Sequence, residues 1–253
     1  MLKTIRFLGQ VLPVEVDFTL PGELYFSWVW QERNMTIGIK ISIHHSRIVA
    51  DCTVADFQPS DTTELYRRAY DNCRALISLN SFRTGVARTF ILDRWIRPDD
   101  GIESILLMMD NRLPPLCTSI HSDADFNTIF RAIVESHSLM RLLGDLIDAI
   151  SIPHEGPASC ARAVEGLKWL IASDRSDSAA WESMRSALNL DRAYLIFITK
   201  HSTDIRHGKA PRIEGPICME IILRSWIIMN RFFEYLKRGK TPLPVAEFPL
   251  LRG

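Results

Sequence analysis

The chain has no net charge to spend on a polyanion: its 30 Lys and Arg are balanced by 30 Asp and Glu. A protein that coats nucleic acid by bulk charge is therefore excluded, although a local basic pocket is not. Cysteine is sparse and scattered. Of the five, the two closest, Cys52 and Cys73, stand 21 residues apart, and no C-x-x-C pair exists. That spacing excludes a zinc ribbon or a thioredoxin-type centre. It suits free thiols in a reducing cytoplasm, the expected location. No long uninterrupted apolar run is present. The most hydrophobic window, Ile217 to Phe233, is broken by Glu220, Arg224 and Arg231, which predicts a buried helix and no membrane partner. The opening MLKTIRFLGQVLPVEV lacks a sustained apolar segment and an A-x-A site, so no signal peptide is expected. HExxH, G-x-G-x-x-G, P-loop and G-x-S-x-G signatures are all missing, which removes the commonest zinc hydrolases, nucleotide-cofactor folds and serine hydrolases. No cofactor is expected, and no repeat or low-complexity tract appears.

What is present falls into two textures. With 253 residues, 47% of them hydrophobic, the chain can build its core without disulfide or metal. The first 55 or so residues alternate with period two. Val14, Val16 and Phe18 form one such run, Leu24, Phe26 and Trp28 another, and Ile37, Ile39, Ile41 and Ile43 a third. A fourth strand over Arg47 to Val54 is expected after His45-Ser46. Ser60 to Glu64 then offers helix N-cap chemistry, with Leu65, Ala69, Cys73, Leu76 and Leu79 at helical spacing and Gly85 at the end. Strand character returns over Val86 to Ile96, before the turn Pro98-Asp99-Asp100-Gly101.

From Ser122 the spacing is helical. Five helices are predicted: Ser122 to about Ile150, Ala158 to Ala172, Ser178 to Leu188, Asn189 to His207, and Gly215 to Leu236. The tail TPLPVAEFPLLRG, with its three prolines, is expected to be an extended strap. The predicted class is thus α+β: an N-terminal antiparallel β-meander with a helix (residues 1–120), an all-α antiparallel helical bundle (121–240), and a Pro-rich extended tail (241–253).

The densest chemistry lies in LIFITKHSTDIRHGKAPR. From Arg192 to Arg212 five cations (192, 200, 206, 209 and 212) face one acid, Asp204, before two histidines are counted. On one continuous helix Lys200, Asp204 and His207 would share a face. Arg206 and His207 would fall in the last turn before Gly208, where a helix end also favours positive charge for purely structural reasons. Such a cluster suits phosphate binding, with a histidine able to transfer protons near neutral pH. In the last predicted helix Arg224, Arg231 and Arg238 recur every seven residues as a polar edge, and Arg224 or Arg231 is expected to approach the basic end of the preceding helix. His44-His45 make a poor chelate because neighbouring strand residues point to opposite faces. No metal site is expected. Asp93, Arg94, Arg97, Asp99 and Asp100 read as ion pairs on a solvated face.

A compact bundle whose penultimate long helix ends in DIRHG, followed by one more long helix, resembles the HEPN domain superfamily over about residues 121 to 240. The resemblance implies a dimeric module that binds RNA or a nucleotide. In active members an Arg-x4–6-His motif at the dimer cleft cleaves RNA without metal, the ribose 2′-hydroxyl attacking the adjacent phosphorus. Here, counting back from His207 gives Thr203, Ser202, His201 and Lys200, none of them arginine. Lys200 offers a point charge where the motif has a planar guanidinium.

The expected function is accordingly an HEPN-like, cytoplasmic, homodimeric protein binding RNA or nucleotide, with metal-independent endoribonuclease activity as the less favoured extension. His207 and Arg206 are the catalytic candidates, and Lys200, Asp204, Arg192 and Arg231 the phosphate-binding ones. The rival expectation is a non-catalytic homo-oligomeric interaction module whose basic helix end is structural. A small-molecule enzyme without a motif is the third.

Overall fold

Isoleucine at every second position from Ile37 to Ile43 builds the strand on which the N-terminal unit is organised. In the computed structural model, which describes residues 2–105, 112–152, 155–172, 176–202, 213 and 215–253, all four side chains are buried on one face. They belong to β3 (Met35–His44). The neighbouring strands are β1 (Leu2–Leu12), β2 (Leu24–Trp30), β4 (Arg47–Ala55), β5 (Thr89–Ile96) and β6 (Glu103–Ile105). They form one antiparallel sheet in the order β2-β3-β4-β1-β5-β6. The meander β2-β3-β4 is as expected. The first strand is not. It precedes Pro13, and Val14 to Phe18 form a turn and an open connection. Pro13 brings no backbone N–H to a ladder, and its carbonyl accepts from the Val16 amide. β1 instead buries Ile5, Phe7, Gly9 and Val11. Gly9 is required there: a Cβ would lie 1.9 Å from the Ile91 carbonyl oxygen of β5, at the point where the register shifts.

One helix, α1 (Thr62–Thr84), covers the apolar sheet face through Leu65, Tyr66, Ala69, Cys73 and Ile77. The predicted stripe drifts at its end, since Leu79 is exposed and Ile77 takes its place. Phe7 meets Tyr66 edge to face with centroids 5.8 Å apart, and Tyr70 packs on Phe90 at 4.7 Å. Burial drives the Cys73 thiol up to about 12 and the Cys52 thiol higher still, so neither is a thiolate near neutral pH.

The chain divides into two compact units, and Leu113 belongs to the core of the second, helical one. The described helices of this second unit are α2 (Asp123–Glu135), α3 (His137–Ser151), α4 (Gly156–Ile171), α5 (Asp177–Leu188), α6 (Arg192–Thr199) and α7 (Gly215–Lys237). The single helix expected over 122–150 is two, because Ser136 adopts an extended backbone and its hydroxyl accepts from the Leu139 amide as a new N-cap. Helix α7 is central, touching α2, α3, α4, α5 and α6. Ile221, Ile228, Met229, Phe232 and Phe233 are buried within the chain, as expected of a buried helix. Among the described residues no helix is long and apolar enough to cross a membrane.

The tail turns at residues 245–247 and is integral to the unit. Leu243 is buried, and Leu251 pairs with Leu190 in a parallel bridge.

Candidate functional site

The corner between α5 and α6 is held from three directions. Asn189 closes α5 in the left-handed region, at φ 53°. Its side-chain amide donates to the carbonyls of Leu243 (2.8 Å) and Phe248 (2.9 Å) in the tail. The Arg231 guanidinium of α7 donates to the carbonyls of Leu188 (2.8 Å), Asn189 (2.9 Å) and Pro249 (2.7 Å). Asp191 then caps α6, accepting from the Tyr194 amide at 2.6 Å and from the Gly253 amide at 3.2 Å. The Tyr194 amide above all holds this carboxylate below its usual range.

This anchored helix start fixes what α6 presents. At 100° per residue, positions 192, 195, 196, 199 and 200 share a face. Arg192, Leu195, Ile196, Thr199 and Lys200 do line one cleft of about 690 Å³, opposite Glu165 of α4 and Asp177, Ser178, Trp181 and Arg185 of α5. Over eight positions Arg192 and Lys200 are ~12 Å apart along the axis. Two of the cleft's charges are satisfied locally: Arg185 pairs with Glu182, and Asp177 with Lys168. Lys168 is a buried cation behind the wall, with Nζ 4.4 Å from the Trp181 ring centre and 4.9 Å from that of Trp169. Arg192 and Lys200 are exposed and have no acidic partner among the described residues.

The adjacent face of α6, Tyr194, Phe197 and then His201, meets α7. The Arg224 guanidinium lies 4.2 Å from the Phe197 ring centre and 4.8 Å from that of Tyr194, while its Nε donates to Glu220 at 2.7 Å. Arg224 thus reaches the aromatic side of α6, while the basic end it was expected to approach lies outside the described residues. Lys200 Nζ sits 5.0 Å from the same Phe197 ring, and His201 meets that ring edge-on at 6.0 Å. Burial first, and then Lys200, lower the His201 pKa, and its Nε2 is buried without a hydrogen-bond partner among the described residues. Sequence reasoning counted His201 in the basic segment without giving it a role, and passed over Phe197. The only signal was their i, i+4 spacing on an otherwise apolar helix.

Arg231 is corrected. It was expected to hold a ligand phosphate, but it is 6% exposed and its guanidinium donates to three main-chain carbonyls. Seven residues on, Arg238 pairs with Glu247 at 2.6 Å. The seven-residue arginine spacing thus includes two residues that bind the tail. The continuous helix expected over 189–207 is also corrected. α6 ends at Thr199, Lys200 and His201 form a turn, and the Ser202 hydroxyl donates to the Thr199 carbonyl at 2.7 Å. The shared face drawn through Lys200, Asp204 and His207 required an unbroken helix. Asp204, Arg206 and His207 lie outside the described residues.

His44 and His45 stack with ring centres 4.3 Å apart at a turn. Among the described residues no group of three metal-ligating side chains exists. Arg94 pairs with Glu103 (2.8 Å) and Arg97 with Asp100 (2.9 Å) on the surface.

No curated protein and no solved structure matches the chain significantly. Residues 5–106 match the family described as "Domain of unknown function (DUF8168) N-terminal domain", and residues 126–237 match "Domain of unknown function (DUF8168) C-terminal domain". The two matches fall on the sheet unit and the helical unit in chain order and together span most of the sequence, so the chain belongs to the two-domain DUF8168 family.

Proposed function

We propose that the helical unit binds RNA or a nucleotide in the α5–α6 cleft, as a phosphate-binding module in the manner implied by the HEPN resemblance. One observation carries this reading: Arg192 and Lys200 stand on one face of α6, exposed and without an acidic partner among the described residues, across the cleft from Trp181. The two cations suit successive phosphates, and the indole suits a base. The anchored α5–α6 corner supports the reading, since it holds Arg192 one residue after a capped helix start. Binding is proposed and cleavage is not, because the catalytic candidates Arg206 and His207 lie outside the described residues. We place the protein in the cytoplasm, a compartment consistent with its free cysteines.

The test is fluorescence anisotropy of a labelled single-stranded RNA, with unlabelled ATP as competitor. Arg192→Ala and Lys200→Ala should each weaken binding about tenfold. Each should also reduce the salt slope by ~0.7. Trp181→Ala should weaken base-containing ligands and spare inorganic phosphate. Arg97→Ala, in the sheet unit, should change nothing. Unchanged affinity in the Arg192→Ala/Lys200→Ala double variant would overturn the proposal. RNA cleavage that persists in chelator and disappears in His207→Ala would replace it with the ribonuclease reading.

A further inference from the structure

A second cavity, on another part of the helical unit, has the opposite chemistry. It measures about 430 Å³ and is lined by α2, α3, α7 and the segment before α2. This lies within the range of small-molecule pockets. Its floor is the hydrophobic core itself, since Ile129, Leu146, Met229 and Phe233 are core residues buried elsewhere by packing. Protein cores rarely leave a gap larger than a water molecule. At the rim Phe126 and Phe130 lie parallel, 6.2 Å apart, and remain 57% and 55% exposed.

The polar atoms of the wall narrow the occupant. No Asp, Glu, Lys or Arg lines the cavity. The Asn230 amide is engaged at both ends: its oxygen accepts from the Ser119 amide at 2.9 Å, and its nitrogen donates to the Thr118 hydroxyl at 2.7 Å. The Ser119 carbonyl accepts from Lys237 at 2.7 Å. The Ser119 hydroxyl is different. The residue is 1% exposed and lines the cavity, yet its Oγ has no hydrogen-bond partner. An orphan buried hydroxyl is costly unless something meets it. Cys117 stands on the wall as an exposed thiol, its sulfur accepting from the Trp226 indole N–H at 3.2 Å.

We propose that this cavity binds a neutral, largely hydrocarbon small molecule, matched to a wall that is almost wholly apolar. Charged ligands are disfavoured, because among the described residues of the wall no charged side chain compensates the burial of an ion.

Nile red titrated into the full chain should bind saturably at one site per molecule. 1-Octanol should displace it at least tenfold more effectively than octanoate. Ile133→Trp, which fills the cavity from its wall, should abolish binding. Should that variant fail to fold, alkylation of Cys117 by iodoacetamide in the native chain provides an independent reading, and 1-octanol should slow it. Absence of saturable binding, preference for octanoate, or no protection of Cys117 would overturn the proposal. So would a sedimenting dimer that Phe130→Asp dissociates while Nile red binds neither form, since the cavity would then be a seam between two copies.

Discussion

The sheet unit and the helical unit of this chain differ in how the charges at their concave surfaces are paired. In the sheet unit Arg6 of β1 grips Asp51 of β4 through Nε at 2.7 Å and Nη2 at 3.0 Å, Lys40 of β3 reaches Glu23 just before β2 at 3.0 Å, and Arg33 pairs with Asp61 in the turns outside the strands. Its apolar face is closed by one helix. In the helical unit two cations face an open cleft without an acidic partner among the described residues, and a second cavity cuts into the core. Satisfied groups stabilise a fold, whereas unsatisfied groups at a concavity are where ligands gain free energy. This contrast is the basis on which ligand binding is proposed for the helices.

The largest expected effect concerns the clamp on which the cleft depends. Arg231→Ala takes the guanidinium donor from the buried Leu188 carbonyl and from that of Pro249, while the Asn189 carbonyl keeps the Leu251 amide. It should lower the stability of the helical unit by about 3 kcal/mol. Urea denaturation checks this, and hydrogen exchange should show the loss concentrated at the α5–α6 corner and the tail. The matching change in the sheet, Arg6→Ala, removes a partner that is itself half exposed, while Lys40 remains 3.7 Å from Asp51. Its cost should be about 1 kcal/mol in the same assay. Equal costs for the two would erase the distinction between a buried clamp and a surface pair.

The smallest effect is a pH slope. The folded His201 has its pKa lowered from 6.5 by burial and by Lys200. Below 6.5 the unfolded chain therefore takes up the proton more readily, so stability falls with pH until the folded value is passed, and is flat above. His201→Gln should flatten that part of the stability profile measured between pH 7 and pH 5. An unchanged slope would assign it to other groups.

The legible parts of the fold were those set by short-range pattern. Ile37 to Ile43 announced a half-buried strand, and Leu65, Ala69 and Cys73 announced the helix across it. The Val14–Phe18 run carried the same period of two and was not a strand, because a proline interrupts the backbone just before it. Leu2 to Leu12 was obscured by Gly9, whose place in the buried row reflects the approach of another strand rather than hydrophobicity. The breaks at Ser136 and Lys200 were hidden because the apolar spacing runs on through both. At the site, Arg192 and Lys200 could be named from local charge density. Arg231 could not be assigned its role, since the carbonyls it binds belong to Leu188, Asn189 and Pro249, far away in sequence. The apolar cavity was equally hidden, because it is assembled from three helices and a preceding segment.

The central claim is that the α5–α6 cleft, and not the sheet, receives the phosphate ligand. Hydrogen–deuterium exchange on the full chain, with and without the single-stranded RNA used for anisotropy, tests it most directly. The account predicts slowed exchange from Asp177 through Thr199 and none across β1, β3 and β4. Slowed exchange on the sheet, with α5 and α6 unchanged at saturating RNA, would contradict it.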